Sequence, residues 1–367
     1  MKSLIVGNGV NIQFAGMEYF NNQILKRAID NLDTGNFNEK IYPKELGGYI
    51  IQLLLLSKEL LSGSKDNLVL TTYEKKTLPA FKQRNKKAIQ LMDYSSIGLE
   101  DYFFLHHMFC RDNKIFNPEL YLITKGLERL FLDSIYNDGR INDVNKSFSN
   151  KFISWLNEFD QVFTTNYDTN IDQVLNKPVY HLHGSFSKLS DVYNPESFRN
   201  ELELDEYDFV EGYNHLYCDA IFDFSGYGKD FVGLQAERTN SVLEKLAKAV
   251  KNGELKEQKN EIGSWKNSDN EIWKNFHKAI YTKVDKPEME FEDHYHFGDF
   301  SSLKGELTFL GLSPYNDEHI TEMVRKNENI TRIKYYYYSP EESREIDKCF
   351  PHKKIEKIKV IKFWKRF

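Results

Sequence analysis

An α/β fold built on a parallel sheet is the architecture that this 367-residue sequence predicts. Three observations carry that expectation. Lys2–Val6 is a short apolar run that passes straight into a glycine turn, Gly7-Asn8-Gly9-Val10-Asn11. Gln161–Thr164 and Val179–Leu182 are further runs rich in β-branched and aromatic residues, and the segment between them, Thr169–Leu175, has Ile171, Val174 and Leu175 at helical spacing. Glu306–Leu310 and Ile330–Tyr338 repeat the pattern around a helix expected from about Asp317 to Lys326. Strands alternating with helical segments imply right-handed crossovers and parallel pairing.

Composition sets the outer bounds. An apolar fraction of 40%, with 22 Tyr and 27 Phe, supports a real core and excludes a disordered chain. The length suits two domains, or one domain carrying large insertions. A net charge of −6 argues against nucleic acid as the default partner. Cys110, Cys218 and Cys349 lie far apart and form no C-x-x-C pair, which fits a reduced cytoplasmic protein. No apolar run reaches the length of a membrane span, and the first strand is not a secretion signal, so a soluble intracellular protein is expected.

Taken in order, the first strand ends in a turn whose glycines let backbone amides approach phosphates. Its spacing is G-x-G followed by Gly16, so the usual dinucleotide fingerprint G-x-G-x-x-G is absent. Residues 17–160 read as mostly helical: Leu46–Leu61 is densely apolar, Pro118–Tyr136 has helical spacing with Pro118 suited to a first turn, and Phe148–Phe159 leads into the second strand. His106 and His107 are expected to be packed rather than metal-bound, since neighbours on a helix point about 100° apart. Residues 187–216 suit a loop or lid, Leu216–Phe224 a strand, and about 234–250 a helix; 251–271 reads as a solvated excursion. His294 and His296 lack a third ligand pattern. Gly311 and Ser313 form a second glycine/hydroxyl turn with a helix N-terminus behind it, which favours an anion. Tyr335–Tyr338 fit the two faces of one strand. The tail from His352 to Phe367 has seven Lys or Arg against one Glu, and Lys357, Lys359 and Lys362 read as charges guarding an edge strand.

The candidate site lies where the second and third strands end. Thr165, Asn166 and Asp168 follow the second strand, and His183 and Gly184 the third. Ligands of open parallel sheets bind beyond the carboxyl ends of the strands. Asp168 alone suits a helix cap and Asn166 a turn; their coincidence with His183 points to a site. His181 and His183 are expected to face opposite sides of the sheet by alternation along the third strand, with His183 in the pocket and His181 packed.

Four motifs in order, G-N-G-V-N-x4-G, T-T-N-Y-D, H-L-H-G and G-L-S-P-Y-N-D-E-H-I, resemble the successive signatures of sirtuin-like domains. They are most similar to bacterial sirtuin-like NAD hydrolases of anti-phage, abortive-infection systems such as Thoeris. The motifs cover about 1–16, 160–185 and 306–340. The resemblance implies a Rossmann-like parallel sheet with inserted helical segments. A sirtuin-like domain over 1–340 would be interrupted by a helical insertion at about 17–160 and an irregular one at about 187–300, with a C-terminal helix and basic edge strand at 341–367. It further implies that Gly7, Gly9 and Asn11 contact the phosphates or adjoining ribose of NAD, with Asn8 and Thr165 beside them. Gly311 and Ser313 would border the pyrophosphate and adenosine ribose. Asn166 and Asp168 would hold the nicotinamide side, and His183 would be the catalytic histidine.

Two departures from the family bear on chemistry. Three scattered cysteines cannot build the four-cysteine zinc ribbon of protein deacetylases, so no metal is expected. The arginine-bearing segment that usually follows the first glycine motif is not recognisable. The expected activity is therefore hydrolysis of NAD to nicotinamide and ADP-ribose, with NAD as substrate. A homo-oligomer or a partner from the same defence operon would hold it silent, and neither membrane nor nucleic acid would be a partner. The alternatives are a non-catalytic nucleotide sensor gating a partner, and an ADP-ribosyltransferase.

Overall fold

The computed structural model describes residues 1–33, 41–85, 97–115, 123–194, 198–199, 210–222, 229, 235–253, 262–268, 271–291 and 295–367. Its centre is a six-stranded, all-parallel sheet: β1 (Lys2–Val6), β2 (Gln161–Thr164), β3 (Val179–His181), β4 (Gly305–Leu310), β5 (Ile330–Tyr337) and β6 (Ile355–Lys359). The strand order is β3-β2-β1-β4-β5-β6, the doubly wound order of a Rossmann-like fold. Register aligns the strand ends: Val6 lies opposite Thr164 and Leu310, and Thr164 lies opposite His181. The turns that follow β1, β2, β3 and β4 therefore all emerge on one edge.

Alternation along the strands divides the interior in two, because successive side chains leave a sheet on opposite faces. Leu4, Val6, Val162, Leu310 and Tyr336 join one core, whereas Ile5, Phe163, Leu307, Phe309, Ile333 and Tyr335 join the other. Tyr335 and Tyr336 thus occupy the two faces of β5, as expected. The first core is filled by the helical layer between β1 and β2. That layer comprises α1 (Gly9–Ala15), α2 (Asn21–Asp33), α3 (Leu46–Ser62), α4 (Thr72–Arg84), α5 (Asp101–Asp112), α6 (Ile123–Tyr136) and α7 (Asn150–Leu156). The densely apolar α3 buries Leu46, Ile50 and Leu53 and ends at Gly63, whose left-handed φ of 84° closes the last turn. His106 on α5 is a packed residue: its Nδ1 lies 2.7 Å from Tyr49 Oη and its Nε2 2.7 Å from Thr124 Oγ1.

Residues 187–300 are more regular than expected. Helices α8 (Gln235–Asn252) and α9 (Glu271–Asp285) pair around a small core of their own, including Leu243, Val250 and Ile280. The other face of the sheet is covered by α10 (Phe297–Ser301), α11 (Glu318–Lys326) and α12 (Pro340–Cys349), and the chain ends in α13 (Val360–Trp364). Among the described residues no helix is long and apolar enough to cross a membrane.

Two expected elements are absent. Thr169–Leu175 forms hydrogen-bonded turns in place of a helix. The Asp168 carboxylate, expected to cap that helix, instead accepts from the Asn170 amide at 3.1 Å, a local turn that competes with helical geometry. Over its described part, 216–222, the expected Leu216–Phe224 strand is replaced by the end of a short 3-10 turn, Asn214–Tyr217, and a bridge from Cys218 to Leu189. Residues 215–222 are buried without alternation, so their apolar run satisfies packing and not a ladder. Pro118, His294 and residues 223–228 lie outside the described residues.

Candidate active site

The chain leaves β1 toward β2 on one side and β4 toward β5 on the other, so the two loops diverge and open a crevice at the switch point. A cavity of about 850 Å³ fills this crevice, within the range of small-molecule and cofactor sites. All ten residues singled out from the sequence line it: Gly7, Asn8, Gly9, Asn11, Thr165, Asn166, Asp168, His183, Gly311 and Ser313.

The glycines do something other than offer free amides. Gly7 N–H donates to Leu310 O at 2.9 Å, Gly9 N–H to Gly311 O at 2.9 Å, and Val10 N–H to Gly7 O at 3.1 Å. A Cβ on Gly9 would come within 2.6 Å of Gly311 Cα, and Gly311 itself has a φ of 76°. The β1 and β4 loops are thus knitted backbone to backbone, and glycine is required because no side chain fits between them. The two loops form the floor of the cavity.

Asp168 anchors the wall. Asn11 Nδ2 donates to Asp168 Oδ2 at 2.6 Å and Asn170 Nδ2 to Asp168 Oδ1 at 2.7 Å. Asn170 Nδ2 also reaches Ile141 O at 2.8 Å, and Asn170 Oδ1 accepts from Asn145 N–H at 2.9 Å. Both carboxylate oxygens are therefore engaged, and the network pins the β2 loop to α1 and the helical layer. Burial pushes the Asp168 pKa up, against the hydrogen bonds from Asn11 and Asn170 that pull it down. Asn166 differs: its main chain is held by Thr164 Oγ1 and by His181 Nδ1, but its carboxamide lines the cavity with no hydrogen bond to any described residue.

His181 and His183 do face different ways, but strand alternation is not the cause, since residues two apart on one strand share a face. β3 ends at His181, and the chain turns before His183. His181 is packed between Asn166 O at 3.1 Å and Asp172 Oδ2 at 3.1 Å. His183 enters a buried cluster that sequence reading missed. Its Nε2 lies 2.8 Å from His319 Nε2 and 3.9 Å from Asp317 Oδ1; its Nδ1 lies 3.4 Å from Lys229 Nζ, which pairs with Glu100. Burial, then the Lys229 ammonium and His319, hold the His183 pKa well below its ordinary value, against a hydrogen bond with the Thr165 backbone. Both imidazoles are neutral near pH 7. Burial raises Asp317 to about 6, with Glu100 pushing the same way and Lys229 opposing.

Arg84, Glu100 and Asp101 complete the wall from the helical layer, and Arg84 is spent on Asp101 at 2.6 Å. Lys229 and Glu100 carried no sequence signal, because only folding brings them to His183. Asp317 and His319 stood in the G-L-S-P-Y-N-D-E-H-I motif, where reading stopped at the glycine and serine.

Comparison of the chain with protein-family models, curated proteins and solved structures gives no match. Its own geometry supplies the class: a Rossmann-like α/β protein with inserted helices, whose cavity lies at the carboxyl edge of the sheet. In this chain the cavity places the His183–His319–Asp317 cluster beside the uncommitted carboxamide of Asn166.

Proposed function

We propose that this cavity hydrolyses NAD to nicotinamide and ADP-ribose, and that the chain is an effector of anti-phage defence. The observation that carries the reading is the convergence of Asn166 and a neutral His183 on one cavity at the switch point of a Rossmann-like sheet. The four motifs that resemble sirtuin-like NAD hydrolases supply these same residues. Breaking the N-glycosidic bond releases neutral nicotinamide and leaves oxocarbenium character on the ribose; water adds to that carbon and loses a proton. Asn166, with its carboxamide uncommitted, is suited to orient the ribose or the water. His183 is the proton acceptor. Asp317 and Glu100 give the surroundings a negative field that favours developing positive charge.

His183 has both ring nitrogens occupied by neighbours, Nε2 by His319 and Nδ1 by Lys229. That observation favours a second reading, a nucleotide sensor that binds without turnover. Incubating purified protein with NAD and quantifying nicotinamide and ADP-ribose separates the two. Turnover lost in Asn166→Ala supports the hydrolase, whereas NAD that stays constant during effective protection of phage-challenged cells supports the sensor.

A further inference from the structure

We propose that His183, His319 and Asp317 form a binding site for a divalent transition ion of the Zn²⁺ class. The three side chains come from two elements that meet only in the folded sheet, the turn after β3 and the start of α11. Their donor atoms, two imidazole Nε2 and one carboxylate oxygen, lie within 4.8 Å of one another. Ligands held at about 2.0–2.1 Å in a tetrahedral site stand about 3.3 Å apart. The observed 2.8 Å between the imidazoles and 3.9 Å from His183 Nε2 to Asp317 Oδ1 straddle that value. Nitrogen donors exclude the oxygen-preferring Mg²⁺ and Ca²⁺ as best fits.

His319 supplies the second observation. A buried histidine kept for structure has both nitrogens satisfied, as His106 does. His319 is 2% exposed, its Nε2 points at His183, and its Nδ1 has no partner among the described residues. Lys229 can only donate to His183 Nδ1, so the neutral His183 carries its ring hydrogen on Nε2 and donates to His319 Nε2; metal binding asks that His183 give up this hydrogen, while His319 already carries its own on Nδ1. Charge also fits: Glu100 and Asp317 outweigh the single ammonium of Lys229, leaving a net negative cluster for a dication. Asp317 and His183 both line the cavity, so the cluster borders open space from which a further ligand could come.

If the hydrolase reading holds, on which this consequence rests, a metal on His183 Nε2 ties up the imidazole and bars it from taking the proton. The ion is then an inhibitor and not a cofactor. The test is calorimetric titration of the full chain, stripped with EDTA, with Zn²⁺ alone. One ion per chain is expected, with affinity at least ~10–100-fold weaker in His319→Ala and in the isosteric Asp317→Asn, since even outer-shell losses cost that much. Circular dichroism checks that both variants fold. No stoichiometric uptake by the wild type, or uptake unchanged in both variants, overturns the site. In parallel, Zn²⁺ should lower NAD turnover in step with occupancy; full occupancy with undiminished turnover overturns the inhibitory role. The titration contains no NAD, so Zn²⁺ uptake decides the site by itself, and the turnover assay bears only on the hydrolase reading.

Discussion

Asn170→Ala is the sharpest probe of how the fold holds the cavity wall. Its side chain donates to Asp168 Oδ1 at 2.7 Å and Ile141 O at 2.8 Å, and accepts from Asn145 N–H at 2.9 Å, while the residue is 1% exposed. The bond to a buried carboxylate contributes about 1.5–3 kcal/mol and each neutral bond about 0.5–1.5 kcal/mol, so truncation should cost roughly 3–5 kcal/mol. That places it among the most damaging single changes. Urea unfolding monitored by circular dichroism measures it. The pH dependence carries a second check. Burial raises the folded pKa of Asp168 above its ordinary 3.8, so the folded state prefers the protonated acid. This contribution is fully present below 3.8 and is lost as pH rises through the folded value. Removing a donor raises that pKa further, so the deficit of Asn170→Ala should be larger near pH 7 than near about pH 4. A loss under about 1 kcal/mol near neutrality, or a loss that grows on acidification, would refute the network as the anchor of the β2 loop.

Four further variants probe separate parts of the molecule. His183→Ala should abolish NAD turnover in a chain that still folds, read by nicotinamide release and circular dichroism together; full turnover in the folded variant removes His183 from the chemistry. Gly9→Ala, which drives a Cβ to within 2.6 Å of Gly311 Cα, should lose about 1–3 kcal/mol in unfolding free energy. By contrast Gly47→Ala, with open space around it in α3, should gain up to about 1 kcal/mol. Asp172→Asn should act through His181: burial lowers its pKa, but the hydrogen bond and charge of Asp172, with the Asn166 carbonyl and Asp168 behind them, outweigh this and leave it raised above 6.5. The stabilisation is therefore complete below 6.5 and lost as pH rises through the folded value. Unfolding free energies of variant and wild type should differ in mildly acid buffer by up to about 1 kcal/mol, because the Asp172 carboxylate is 35% exposed, and converge in alkaline buffer.

The sheet was largely legible because its strands announce themselves chemically. Lys2–Val6, Gln161–Thr164 and Gly305–Leu310 are runs bounded by glycine or polar turns, and burial on both faces demands that composition. The candidate site was legible for the same reason, since polar residues that follow buried strands have no packing explanation. Roles were harder to read than positions. Gly7 and Gly9 read as donors to phosphate, yet their amides are committed to the β4 loop. Asp168 read as a helix cap, yet its carboxylate prefers Asn11 and Asn170. Most of these exchanges depend on distant partners, as with the 157-residue separation of Asn11 and Asp168, whereas Asn170 lies only two residues from Asp168. Lys229 and Glu100, 129 residues apart, belong to the same category of long-range meeting.

The cavity is shared property. Its floor comes from the loops of the sheet, but Arg84, Glu100 and Asp101 arrive from α4 and α5 in the helical layer. A molecule held between them touches both units at once, so its occupancy and the docking of that layer are linked: whatever binding adds to one it adds to the other. At a hundred times its dissociation constant a ligand would add about 2.7 kcal/mol to the closed arrangement. The helical layer is then a gauge as well as a wall, its resistance to proteolysis reporting from outside whether the crevice beneath is filled.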